Sequence, residues 1–285
     1  MTQAPSFLLD RETFLRGVGK LPSLPAVLVE VMESLNAEQP VLKQLARKLS
    51  RDQALVAKML RIANSSFYGL RGQVGSIDDA IQVLGLRGIR SLTVTAAVSG
   101  VFSTVPCPDF DLPRFWRHSI ATALCARELA RQRGFNDGYA FVAGLLHDVG
   151  HLVLASCFPA HLAAIRRTAG ETGQSWLLTE ERVLGVDHAA LGRMLTTHWH
   201  FPQIISEAIA LHHTGGASMD TLGGVLCLSN ALVHALDLDN PATGQIPQVD
   251  AQTRALLGMS DEAWNDLVSM LQTQTAEACA QLISV

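Results

Sequence analysis

FVAGLLHDVGHLVL, residues 141–154, is the stretch on which the fold turns. Its apolar residues suit the interior of a helical protein, yet His147, Asp148 and His151 fall within five positions of one another. A buried carboxylate without a partner is too costly to be filler, so the stretch calls for metal ions or for polar partners from elsewhere in the chain. The wider apolar window, residues 140–158, is nearly long enough to span a bilayer. An ionised Asp near its middle would cost roughly 2.5–3.5 kcal/mol on the insertion scale, which makes a buried helix of a soluble protein the expectation.

Composition points the same way. Of the 285 residues, 48% are hydrophobic and 17% charged, enough apolar surface to offset the entropy lost on folding. Aromatics are only 6%, and Ala and Leu dominate the apolar set, which favours packed helices over sheets. A net charge of −4 without a long basic run argues against a surface built on phosphate contacts, so no nucleic-acid partner is expected. Cys107, Cys125, Cys157, Cys227 and Cys279 are scattered and odd in number and form no C-x-x-C pair, which suggests neither a disulfide framework nor a zinc ribbon and fits a reducing cytoplasm. The opening MTQAPSFLLDRETFLRG carries charges where a signal peptide has its apolar core, and no membrane segment is expected.

Helical spacing recurs along the chain, whereas period-two alternation is rare. In PSLPAVLVEVMESLN, residues 22–36, Val27, Leu28, Val31 and Leu35 share a face behind Pro22 and Pro25. Leu42, Leu45 and Leu49 line up next; Ser50 with Gln53 is expected to form a capping box for a helix ending near Asn64. SSFYGLRGQVGS reads as a loop, Ser76 with Asp79 as another capping box, and Gly85 as a C-cap before a helix of about residues 86–101. Prolines 106, 108 and 113 punctuate a boundary. Beyond it come helices over 114–134, 139–158, 160–170, 176–185 and 188–199, the last opened by Asp187. A helix from Pro202 is expected to end in His212 and His213, and TLGGVLCLSNALVHALDL follows. Two terminal helices are expected after Asn240, with Leu267, Met270, Leu271 and Leu282 free to cover a cavity or a dimer contact.

All ten histidines lie from His118 to His234. His118 in one helix, His147 and Asp148 in the next, then His188, His212 and His213, offer imidazoles and a carboxylate of the kind that several helices bring to a divalent metal. Such a metal would lower the pKa of a bound water. H-D-V-G-H also stands one methylene from the H-E-x-x-H zinc signature, but the shorter Asp reaches a metal-bound water poorly and no third ligand follows at the right spacing. His161, His198, His200 and His234 read as hydrogen-bonded core residues, and His151 as a residue of the same cavity or a partner of a nearby carbonyl.

These residues resemble a known pattern. The order His118, HD at 147–148, His188 and HH at 212–213 resembles the HD superfamily of metal-dependent phosphohydrolases, and LLHDVGH and HWHFPQIISEAIALHH are similar to motifs of its HD-GYP branch. The first half is more specific: LPSLPAVLVEVMESL, DQALVAKMLRIANSSFYG and GSIDDAIQVLGLRGIRSL resemble the HDOD family, the HD-related output domain of bacterial signalling proteins. The resemblance covers about residues 21–216. It implies an all-α fold with an N-terminal segment over 1–20, an N-terminal helical subdomain over 21–108 packed on an HD-like helical subdomain over 109–239, and a C-terminal helical extension over 240–285.

The departures carry equal weight. TGGASMD follows the HH pair where G-Y-P would stand, so hydrolysis of cyclic di-guanylate is not implied; the lysine of the HD-x-G motif is His151. In LCLSNALVHAL, Asn230 occupies the position of the carboxylate that closes the metal site. The resemblance thus implies a site of His118, His147, Asp148 and Asn230, with a possible second ion among His188, His212 and His213, taking Fe, Mn, Zn or Mg. An amide oxygen is neutral, so divalent affinity should fall. Two functions follow as expectations: a non-catalytic output module in the cytoplasm that binds a signalling protein or small phosphorylated ligand, with a homodimer possible, or a surviving metal-dependent phosphohydrolase acting on a nucleotide or phosphoester. The segments quoted include no receiver, kinase or cyclase, so the input is expected from a separate molecule.

Overall fold

The structure, a computed structural model, describes residues 7–22, 24, 28, 31, 42–64, 74–214, 219–236, 238 and 257–282, with the side chains of 42–45, 86, 281 and 282 outside that description. Among the described residues it is all-α, with no strand. The helices are α1 (Arg11–Val18), α2 (Leu42–Leu49), α3 (Gln53–Ala63), α4 (Ile77–Val101), α5 (Leu112–Gln132), α6 (Asp137–Leu146), α7 (Val149–Cys157), α8 (Pro159–Thr172), α9 (Trp176–Leu184), α10 (His188–His198), α11 (Gln203–Ala210), α12 (Leu222–Ala235) and α13 (Asp261–Leu282).

Local signals account for most helix ends. Ser76 accepts from the Asp79 amide, and the Asp79 carboxylate reaches back to the Gly75 amide. Gly85 takes φ +65° and breaks α4, a conformation that costs a residue with a Cβ. Asn64 ends α3 and clips Val74 with a pair of hydrogen bonds, closing the chain between them. One expected cap moves: Asp52, not Ser50, accepts from the Leu55 amide, while the Ser50 hydroxyl donates back to the Ala46 carbonyl. Ser50 is too far along the preceding turn to reach the new helix. Of the stripe at 27–35, Leu28 and Val31 are described and fully buried; the remainder, like most of the loop at 65–76, lies outside the described residues.

Helix α5 is the centre of the fold. Asp111 caps it by accepting from the Arg114 amide, and Pro113 sits in its first turn. It is buried without interruption from His118 to Ala126, and α6, α12 and α13 pack on it. Leu267 and Leu271 of α13 are buried there, so the C-terminal helix covers α5. The α5–α6 contact is close because both sides are small: a Cβ on Gly144 would lie 2.6 Å from the Ala123 Cα. Buried side chains from Leu9 to Cys279 form one connected apolar cluster. Each large one, such as Phe141 or Leu124, contributes about 1.5–3 kcal/mol by leaving water.

The decisive difference from expectation lies in residues 139–158. They form two helices, α6 and α7, with His147 and Asp148 in the turn between them. Across both, Asp137–Cys157 is the one described run long and apolar enough to cross a membrane, and 78% of its apolar window is buried inside the fold. The turn swings the polar pair out of the apolar register, and α7 restarts with the His151 amide bonded to the Asp148 carbonyl. Asp148 stands at the N-cap position of α7 but makes no side-chain cap; its carboxylate is engaged elsewhere.

Candidate metal centre

Asp148 projects into a ring of imidazoles and divides its two oxygens between them. Oδ2 lies 3.2 Å from His147 Nε2 and 3.7 Å from His118 Nε2. Oδ1 lies 3.3 Å from His188 Nε2 and 3.4 Å from His212 Nε2. His213, from the same turn as His212, brings its Nε2 to 2.8 Å from that of His188. Opposite, Asn230 of α12 holds Oδ1 2.9 Å from His118 Nε2. Every expected ligand is therefore at one place, supplied by α5, the α6–α7 turn, the first residue of α10, the turn after α11, and α12.

The His212–His213 pair lies beyond the end of α11 rather than in its last turn. Glycines set the approach of the elements: a Cβ on Gly150 would collide with the His188 carbonyl oxygen, so α7 can meet the start of α10 only without a side chain there.

The rings are oriented from behind. His147 Nδ1 donates to the Gly144 carbonyl, His212 Nδ1 to the Ile209 carbonyl, and His188 Nδ1 to Glu180. In the neutral ring each such bond leaves Nε2 as the bare nitrogen directed inward, a form that His188 reaches once its second proton has left. The Nε2 atoms of His118 and His147, 3.1 Å apart, and those of His188 and His212, 3.4 Å apart, are at distances that a shared proton or a cation between them accounts for. Two nitrogens on a tetrahedral zinc-like ion at 2.0–2.1 Å would be separated by about 3.3 Å. Both halves of the ring thus fit a divalent ion: His118, His147, Asp148 and Asn230 on one side, Asp148, His188, His212 and His213 on the other.

Charges respond to the crowding. Burial opposes the negative charge of Asp148, but the imidazoles of His147, His188 and His212 outweigh it and hold the carboxyl well below its usual range. Burial likewise opposes a proton on His188, yet Asp148 and Glu180 on its two faces push it up to about 10. His213 is pushed down to about 3, by burial first and then by His212 and His188. Without a metal, one proton on His188 between two carboxylates offsets part of their negative charge.

Glu180 is the residue of the candidate centre that sequence reasoning missed. It is fully buried on α9, accepts from the His188 amide at 2.8 Å and from His188 Nδ1 at 2.6 Å, and its other oxygen pairs with His151 Nε2 at 2.9 Å. A signal was present: Glu180 shares the inward stripe of Trp176, Thr179 and Leu184, whereas Glu181 beside it is exposed. His151 belongs to this outer layer, its ring 4.0 Å from that of His188. Because His151 turns to Glu180 while His147 turns to Asp148, the two do not share a metal in the manner of H-E-x-x-H. His198, His200 and His234 are exposed and His161 half-buried, so these are not the core residues expected; His234 lays its ring 4.4 Å from that of His118.

Comparison with known proteins identifies the family and the fold. The HDOD domain family matches residues 21–215. A candidate phosphohydrolase of known structure from Shewanella amazonensis SB2B is 30% identical, with a TM-score of 0.74 over 94% of this chain and 97% of that one. An HDOD domain protein of unknown function from Geobacter sulfurreducens is 25% identical, with a TM-score of 0.73 over 96% of each chain. An uncharacterised protein of Treponema pallidum (strain Nichols) is 25% identical over 236 residues, 81% of this chain but 45% of its own length, so the chain spans less than half of that curated relative.

Proposed function

The chain belongs to the HDOD family, and from that premise we propose that it is a signal-transduction output module whose HD-type centre holds a divalent metal without sustaining turnover. The observation that carries the reading is Asn230 at the position facing His118, where a second carboxylate would complete the first half of the centre. Two divalent ions would bring four positive charges to a ring in which Asp148 is the one carboxylate among the ligands. That imbalance weakens the dinuclear form on which phosphoester hydrolysis depends. A bound ion would tie together the elements that meet at Asp148, so metal loading and helix packing are one equilibrium. The module's output is contact with a signalling protein or a small phosphorylated ligand in the cytoplasm.

A second reading, a metal-dependent phosphohydrolase for a nucleotide or phosphoester, is favoured by the intact His188, His212 and His213 set and by the exposure of His213, which gives a phosphate access. The test combines elemental analysis of the purified chain with a phosphatase and phosphodiesterase assay in manganese, on the natural protein and on Asn230→Asp. Bound metal with no turnover, and a gain in metal or activity on restoring the carboxylate, is the expected result. Turnover by the natural protein would establish the second reading; absence of metal under all loading conditions would remove the metal centre from both.

A further inference from the structure

The two halves of the centre are unequal, and the inequality is set from outside the ring of ligands. We infer that Glu180 is a positioning residue that makes the half formed by Asp148, His188, His212 and His213 the tighter one, so that a first zinc-class ion is held there and not beside Asn230. This rests on the reading above that the centre takes a metal.

The cost of Glu180 is the first argument. A fully buried carboxylate is retained only where its partners compensate its desolvation, and this one has three: the His188 amide, His188 Nδ1 and His151 Nε2. Capping α10 does not explain it, because Asp187 already accepts from the Ala190 amide at 2.7 Å. What Glu180 alone does is fix the ring of His188. It selects the tautomer with Nε2 bare and, being an anion, enriches that nitrogen as a donor. His147 and His212 have only neutral carbonyls behind them.

The ligand sets reinforce the asymmetry. The half beside Glu180 offers three imidazole nitrogens and a carboxylate oxygen, all within 4.8 Å of one another. The other offers two imidazoles, the shared carboxylate and a neutral amide oxygen. Imidazole is the better donor for zinc, cobalt or iron, and an outer carboxylate adds negative charge where the chain has lost one at Asn230. Glu180 thus returns part of the missing charge from the opposite side of the centre.

The experiment is a cobalt(II) titration of the metal-free full-length chain, followed by visible absorption and by the binding isotherm, with far-ultraviolet circular dichroism to establish folding. The expected first equivalent is tetrahedral in its spectrum, survives Asn230→Ala, is lost in His213→Ala, and is weakened about ten- to a hundredfold with an altered spectrum in Glu180→Gln. A first equivalent lost in Asn230→Ala and kept in His213→Ala would overturn the inference, as would Glu180→Gln binding like the natural chain. Should Glu180→Gln fail to fold, the Asn230 and His213 pair decides. A natural chain that binds no cobalt would instead bring down the metal reading itself.

Discussion

Oδ1 of Asn230 points at Nε2 of His118 across 2.9 Å, in the place where a carboxylate would share an ion with Asp148. The geometry of a ligand is kept while its charge is not. In Asn230→Asp, divalent affinity is expected to rise by at least about tenfold, in line with the cost of altering a metal site's immediate partners. The same variant should be less stable than the natural chain in a chelator, because two buried carboxylates then lack a counter-ion. Competition with a chromogenic chelator and melting with and without metal measure both effects.

Metal uptake should release a proton. The two carboxylates beside His188 hold its proton up to a pKa of about 10, and that proton must leave Nε2 before the nitrogen can bind a metal. Apparent affinity should therefore rise with pH throughout the neutral range, by up to about tenfold per unit for one proton released. Calorimetry in two buffers of different ionisation heat counts the protons. Affinity that is flat between pH 6 and 8 would contradict the protonated state assigned to His188.

Gly150→Ala is expected to destabilise the chain by about 1–3 kcal/mol, since the new Cβ meets backbone and not a movable side chain. The damage should be local, because α10 must retreat and carry His188 away from Asp148. Urea denaturation gives the first quantity; loss of metal affinity in the variant, still folded below its midpoint, gives the second.

The N-cap of α3 separates two neighbouring residues. Asp52→Ala removes the acceptor for the Leu55 amide and should cost about 1 kcal/mol, whereas Ser50→Ala, which loses only a bond back to its own helix, should change stability by less than half of that. Denaturation midpoints of the two variants, compared under one condition, distinguish them.

These particulars separate what is legible locally from what is not. Ser76, Asp187 and Thr221 act as N-caps, and Gly85 takes the left-handed conformation; each follows from residues within four positions. The all-α class and the histidine-rich half were likewise readable by themselves, because spacing and residue type carry them, whereas Asn230 was picked out only by the family resemblance. The turn at His147 and Asp148 was not. No Gly or Pro marks those two positions and the apolar residues run on across them, so periodicity predicts one helix. The break comes with the packing of Gly144 onto Ala123 and of Gly150 onto the start of α10, contacts that no local pattern encodes.

Glu180 was hidden for the same reason. Its partners lie eight and 29 residues away, and in sequence it is one of two adjacent glutamates on a helix. By itself the sequence determined the helices, most of their ends and the supply of residues that could hold a metal. Only the tertiary structure decided that Asp148 faces four imidazoles, that one half of the ring is backed by a buried carboxylate, and that the lone histidines stay mostly at the surface. Side-chain chemistry is a property of the residue, but the field a group experiences depends on which backbones can approach, and that is settled when the helices pack.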